Sequence, residues 1–151
     1  MKQIIVVSDT HYDSKSLTKI VNMYPKASLY LHAGDSQLDE YSIRPFISVK
    51  GNNDYLISDE IKIIDLGVNR IYMTHGHRNY LSEVSLSLLA KRNECNILIF
   101  GHTHRPFYKI VDGVHILNPG SLSLSRSNLG NTYATIEIDE NNEINIEIKQ
   151  F

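Results

Sequence analysis

Residues 4–11 read Ile4-Ile5-Val6-Val7-Ser8-Asp9-Thr10-His11. Four consecutive Ile and Val residues without polar alternation predict a strand buried on both faces. The strand ends abruptly in a polar Ser-Asp-x-His turn. The same pattern of an apolar run, then a glycine or a polar cluster, recurs along the chain. Ser28–His32 leads to Gly34-Asp35, and Phe46–Lys50 to Gly51-Asn52-Asn53-Asp54. Ile71–Thr74 leads to His75-Gly76-His77, and Ile97–Phe100 to Gly101-His102-Thr103-His104. Successive clusters are 17–27 residues apart, more than the roughly dozen residues that a parallel crossover needs. Parallel strands would bring all five clusters to the carboxyl edge of the sheet, where open α/β folds bind ligands.

The intervening segments fit this α/β reading. Leu17, Ile20, Val21 and Tyr24 fall at i, i+3, i+4, i+7, which predicts a helix over Ser14–Tyr24, stopped by Pro25. Leu81, Val84, Leu88 and Leu89 repeat the pattern after Ser82, a candidate N-cap, and these leucines are expected in the core. A shorter helix is expected from Ser36 to Arg44, and a strand over Ile61–Leu66 turning at Gly67. Later the pattern changes. Phe107–Val111 and Val114–Leu117 flank Asp112-Gly113, a type I′ hairpin signal. Tyr133–Asp139 and Glu143–Lys149 alternate with period two, as antiparallel strands with one solvated face do. The 151 residues therefore read as one α/β domain spanning 1–151, with βαβ units first and hairpins after.

Composition narrows the chemistry. The net charge of −2 argues against a nucleic-acid polymer or a membrane surface as partner. No apolar run approaches the roughly 18 residues of a membrane span, and Ile4–Val7 is too short for a signal-peptide core. The one cysteine, Cys95, excludes an intrachain disulfide and a CxxC zinc site, and it suits the cytoplasm. Seven histidines are the unusual feature. Any metal ligands must be imidazole, carboxylate or amide.

Asp9, His11, Asp35, Asn52, His75, His102 and His104 together offer enough N and O donors for two divalent ions, with Asp35 the natural bridge. Mixed imidazole and oxygen ligands suit Mn, Fe, Zn, Ni or Co better than Ca or Mg. Two such ions about 3.5–4 Å apart clamp both oxygens of an in-line phosphoryl displacement and lower the pKa of a shared water.

Asp9-x-His11, Gly34-Asp35, Gly51-Asn52, His75-Gly76 and Gly101-His102-x-His104, in that order, resemble the calcineurin-like metallophosphoesterases. The small YfcE/MJ0936-like branch of phosphodiesterases is the nearer match, and Asn118-Pro119-Gly120-Ser121 resembles a further motif of that branch. The resemblance runs from Asp9 to about Asp139. It implies a four-layer αββα sandwich and a phosphodiesterase in which a metal-bridging hydroxide attacks phosphorus. It also implies Asp9, His11 and His104 on one metal, Asn52, His75 and His102 on the other, and Asp35 between them. Mn2+ is the expected metal, with Fe, Zn or Ni as alternatives. The expected partner is a small phosphodiester, and a homo-oligomer is suggested by resemblance alone. Where many relatives carry the His of Gly-Asn-His, this chain has Asn53, which is no general acid at neutral pH. Asn52 and His77 are the catalytic candidates, with His77 a substitute proton donor two residues past a ligand. Diesters with good leaving groups are therefore expected to react better than unactivated monoesters. The alternative is a non-catalytic metal-binding scaffold for protein contacts, as a retromer subunit of this fold resembles.

Other polar residues read more plainly. His32 and His115 are expected to be structural, and Asp54 either orients a ligand or caps a turn. Asn118-Pro119-Gly120-Ser121 is either a lip holding His102 and His104 or a cis-Pro turn. Leu122–Asn131 reads by default as a mobile surface loop, with Arg126 and Arg105 the candidates to face a phosphate. Cys95 reads as a packed thiol, and the nine tyrosines as mostly strand residues.

Overall fold

A computed structural model describes residues 1–151. In chain order the elements are β1 (Lys2–Val7), α1 (Ser14–Met23), β2 (Leu29–His32), β3 (Phe46–Ser48), β4 (Ile61–Asp65) and β5 (Arg70–Thr74). They continue with α2 (Glu83–Arg92), β6 (Ile97–Ile99), β7 (Pro106–Val111), β8 (Val114–Pro119), β9 (Thr132–Ile138) and β10 (Ile144–Gln150). The strands divide into two mixed sheets, as the αββα resemblance implies, ordered β10-β9-β1-β2-β3 and β4-β5-β6-β8-β7. In the first, β1, β2 and β3 run parallel; in the second, β5, β6 and β8 do.

The apolar faces explain the layering. Ile4, Val6 and Leu31 of the first sheet pack with Ile71, Met73, Ile97, Ile99 and Leu117 of the second in one buried cluster. The opposite faces of the same strands carry Ile5, Val7 and Tyr30 against Leu17 and Ile20 of α1. On the far side Tyr72, Leu98 and Ile116 pack against Leu86 and Ala90 of α2. Both faces of the central strands are apolar, so the runs show no alternation, and the result is the four-layer αββα order. No helix is long and apolar enough to cross a membrane.

Local chemistry sets the helix ends. Asp13 caps α1, its carboxylate accepting from Ser16 N at 3.1 Å, and Ser82 caps α2 through Ser85 N at 3.1 Å. Each cap is worth about 1 kcal/mol. The Asp112-Gly113 hairpin joins β7 to β8, with both turn residues at positive φ.

Three expectations need correction. The stretch from Ser36 to Arg44 is a series of turns, not a helix. Gln37 has φ 59°, and Asp39 accepts from both Ser42 N and Ser42 Oγ, a local bonding pattern that competes with a helix. On α2 the buried face is Leu86, Ser87 and Ala90, whereas Val84 and Leu88 are 65% and 44% exposed. Only four of the nine tyrosines, Tyr30, Tyr72, Tyr108 and Tyr133, are on strands.

Candidate metal centre

The loops that leave the carboxyl ends of β1, β2, β3, β5 and β6 converge at one end of the sandwich. Direct hydrogen bonds tie the two sheets together there. His102 N donates to Asp9 Oδ2 at 3.0 Å and Ser121 Oγ to the Asp9 carbonyl at 2.7 Å, while within the second sheet Gly101 N donates to the His75 carbonyl at 3.0 Å. The turns are sharp enough that Asp9, His11, Asp35, His102 and His104 all have positive φ, five of the ten non-glycine residues that do. Such backbone costs about 1–3 kcal/mol per residue and collects at functional sites. The crowding also explains two glycines. A Cβ on Gly51 would collide with Asp35 Oδ1, and one on Gly101 would collide with Ser8 Oγ and approach Asp9 Oδ2 to 2.8 Å.

Two compact donor groups result, Asp9–His11–His104 and Asp9–Asp35–His75, each with donor atoms within 4.8 Å of one another. Asp9 Oδ1 is 3.3 Å from His104 Nε2, 3.8 Å from His75 Nε2 and 4.0 Å from His11 Nε2. Asp35 Oδ2 is 3.3 Å from His75 Nε2. The resemblance implied Asp35 as the bridge; here Asp9 is the residue common to both groups. His102 and Asn52 are looser. They line a cleft of about 220 Å³ with His11, Asp35, Asn53, His104, Leu124 and Arg126, and Asn52 is exposed.

The imidazoles are oriented by acceptors on their far sides. His75 Nδ1–H donates to the Ala33 carbonyl at 2.7 Å, His104 Nδ1–H to the Leu124 carbonyl at 2.7 Å, and His11 Nδ1–H to Gln37 Oε1 at 2.7 Å. Each ring therefore presents the Nε2 lone pair to the centre. The Nε2 atoms of His11 and His104 face each other at 3.3 Å, an unfavourable approach of lone pairs unless a cation lies between them. Asp9 Oδ1 and His75 Nε2 are buried with no hydrogen-bond partner. Buried polar atoms are rarely left so, and these two suit a divalent ion.

The charges agree. Burial pushes the Asp9 carboxyl up, but His104, His75 and Ser8 outweigh it and hold it low. Asp35 follows the same logic: burial opposes, and His75 and Asn53 keep it ionised. Burial pushes His75 down, and Asp35 and Asp9 more than reverse that. The Asp9 carboxylate beside it raises His104 against its burial. His102 is pushed down by burial and by His75.

The surrounding residues take definite places. Asn53 donates twice to Asp35, from its backbone N to Oδ1 at 2.9 Å and from Nδ2 to Oδ2 at 2.9 Å. Asp54 accepts from the backbone N–H groups of Asp35, Gly51 and Gln37 at 2.7–2.8 Å, joining the loops after β2 and β3. Asn118 Nδ2 donates to the Gly101 carbonyl and Thr103 Oγ1, so the Asn118–Ser121 turn holds the loop of His102 and His104. The cis peptide is at Arg44–Pro45, not in that turn. His77 is next to His75, with ring centroids 5.5 Å apart, but it does not line the cleft. Burial and His75 push it toward the neutral form. His32 is fully buried, accepting from Gly34 N on Nδ1 and donating from Nε2 to Thr10 Oγ1. His115 stacks on Tyr108. Gln37 and Ser8, which donates to Asp9 Oδ2, had no signal in the sequence pattern.

The chain is similar in sequence and fold to known proteins. The chain is 32% identical to a predicted phosphoesterase from Streptococcus pneumoniae whose crystal structure superposes with a TM-score of 0.89 over 99% of this chain and 89% of that one. It is 25% identical to the phosphodiesterase MJ0936 of Methanocaldococcus jannaschii, over 78% of this chain and 82% of that protein. The fold is also that of Vps29 from Entamoeba histolytica, with a TM-score of 0.74 at 21% identity over 97% of this chain and 98% of that one. The model of the calcineurin-like phosphoesterase superfamily domain matches residues 1–141. The chain thus belongs to the calcineurin-like phosphoesterase superfamily and is a metal-dependent phosphoesterase.

Proposed function

We propose that the chain, acting as one domain, is a two-metal phosphodiesterase for small diesters. The observation that carries this reading is the pair of adjoining donor groups around Asp9, with Asp9 Oδ1 and His75 Nε2 buried and unpartnered. Asp9, His11 and His104 would hold one cation, and Asn52, His75 and His102 the other, with Asp35 between them. Mn2+ fits this ligand chemistry, as do Fe, Zn and Ni. Bound cations would supply Lewis-acid charge for the phosphoryl oxygens and an activated water. The protein's share is orientation. The Ala33, Leu124 and Gln37 acceptors fix the tautomers of three imidazoles, and Asn53 holds both oxygens of Asp35.

The diester preference follows from what the cleft lacks. Asn53, at the position of the wider family's His, is engaged with Asp35 and has no proton to give at neutral pH. His77 is biased toward its neutral form, a poor state for a proton donor. Leaving groups that need little protonation therefore react best. The phosphodiesterase activity named for MJ0936 supports the same class.

The test is to strip the protein with chelator, restore Mn(II) and assay bis(p-nitrophenyl) phosphate beside p-nitrophenyl phosphate. Metal-dependent hydrolysis favouring the diester is expected. Asp35→Ala and His104→Ala are expected to lose more than the roughly 10–100-fold typical of outer-shell partners. Full activity in either variant contradicts the proposal. The Vps29 fold likeness supports a second reading, a non-catalytic metal-binding scaffold. Fewer than two metals per chain with no turnover on any diester would favour it.

A further inference from the structure

We infer that Arg126 is the anion clamp of this site, holding the non-bridging oxygens of a phosphoryl group from the loop bonded to His104; the inference rests on the phosphodiesterase reading. Arg126 is the only cationic side chain other than histidine lining the 220 Å³ cleft, which it shares with Asp35, Asn52 and Asn53. It has no carboxylate within ion-pair distance, whereas Arg70 and Arg78 pair with Asp65 and Glu60. A free guanidinium beside a phosphoester site offers the forked donor geometry that phosphate oxygens accept.

The loop that carries Arg126 is tied down, contrary to its default reading as mobile. Arg126 N donates to the His104 carbonyl at 3.0 Å, and His104 Nδ1–H returns a bond to the Leu124 carbonyl at 2.7 Å. Ser121 Oγ accepts from Leu124 N at 2.8 Å, Asn131 Oδ1 from Ser125 N at 3.0 Å, and Asp13 Oδ2 from Ser123 Oγ at 2.8 Å. The backbone from Leu124 to Arg126 is thus fixed to His104, the residue that faces the donor centre. The guanidinium itself remains exposed and free to reach a ligand. The Ser-rich composition of Leu122–Asn131 follows: the hydroxyls hold a loop that has little apolar packing.

The test compares wild type, Arg126→Ala and Arg126→Lys as Mn(II)-loaded proteins. Metal content and melting temperature are read first, then calorimetric affinity for inorganic phosphate, then kcat and KM on bis(p-nitrophenyl) phosphate. Arg126→Ala is expected to keep its metal and melting temperature, and to lose about 10–100-fold in phosphate affinity and in kcat/KM. Arg126→Lys should recover part of both, and added guanidinium should partly rescue the alanine variant. Unchanged phosphate affinity and kcat/KM in Arg126→Ala overturn the inference, as does metal loss in that variant, which would make the residue structural. Wild type that binds phosphate through Arg126 without hydrolysing any diester keeps the clamp and overturns the phosphodiesterase reading instead.

Discussion

His32 illustrates how much one buried side chain can say about pH. Burial holds its pKa near 4, against about 6.5 for a free imidazole, with Asp9 and Asp54 pulling the other way. Above pH 6.5 the folded and unfolded chains are both neutral here, and the residue adds no pH dependence. Between pH 6.5 and 4 only the unfolded chain takes the proton, so stability falls by about 3 kcal/mol in all. Urea unfolding in chelator should show that slope in wild type and a shallower one in His32→Asn, which keeps an acceptor for Gly34 N. Equal slopes would mean that His32 is not held neutral. A second residue-scale prediction concerns Gly51, where an added Cβ meets Asp35 rather than a forbidden φ. Gly51→Ala should lower bound metal and turnover by about 10–100-fold while the chain still folds. Metal analysis beside an activity assay checks it. A third is Asn53→His, which frees Asp35 Oδ2 and introduces an imidazole into the cleft wall; the monoester-to-diester activity ratio should rise.

The seven proposed ligands could be read from the sequence because each follows a strand and its identity carries the chemistry. The groups that aim them could not. The Ala33 and Leu124 acceptors are backbone carbonyls, available on every residue, and Gln37 falls within a stretch that reads as helix.

Among the elements, the two helices differ in how well pattern alone described them. For α1, the i, i+3, i+4 positions found the buried face at Leu17 and Ile20. For α2, apolar residues occur on several faces, and three-dimensional packing selected Leu86 and Ala90 over Val84 and Leu88. The Ser36–Arg44 segment fails as a helix because its backbone serves the site: Asp35 and Gln37 both have positive φ, and Asp54 binds their N–H groups. The caps differ as well. Asp13 holds Ser16 and also Ser123 of the Arg126 loop, whereas Ser82 holds only Ser85 N. Asp13→Ala should therefore cost about 1–2 kcal/mol and Ser82→Ala about 1 kcal/mol or less, measured by urea unfolding. Equal losses would mean that the tie to the loop adds nothing.

At the scale of the molecule, apolar runs and parallel spacing indicated an α/β fold, but not how strands divide between sheets. Nothing in Ile4–Val7 or Ile97–Phe100 distinguishes two sheets from one, because each strand is covered on both faces either way. The division matters for the chemistry: Asp9, His11, Asp35 and Asn52 come from one sheet, and His75, His102 and His104 from the other. Cations held between them would join the two halves of the sandwich. Saturating Mn(II) at about 100 times its dissociation constant should stabilise the fold by about 2.7 kcal/mol for each site filled. The most direct measurement is turnover of bis(p-nitrophenyl) phosphate by stripped protein during titration with Mn(II), with bound metal counted at each step. Activity is predicted to be absent without metal, to rise with added metal, and to level off at two equivalents per chain. Turnover that is unaffected by stripping, or that saturates at one equivalent, would contradict a two-metal centre.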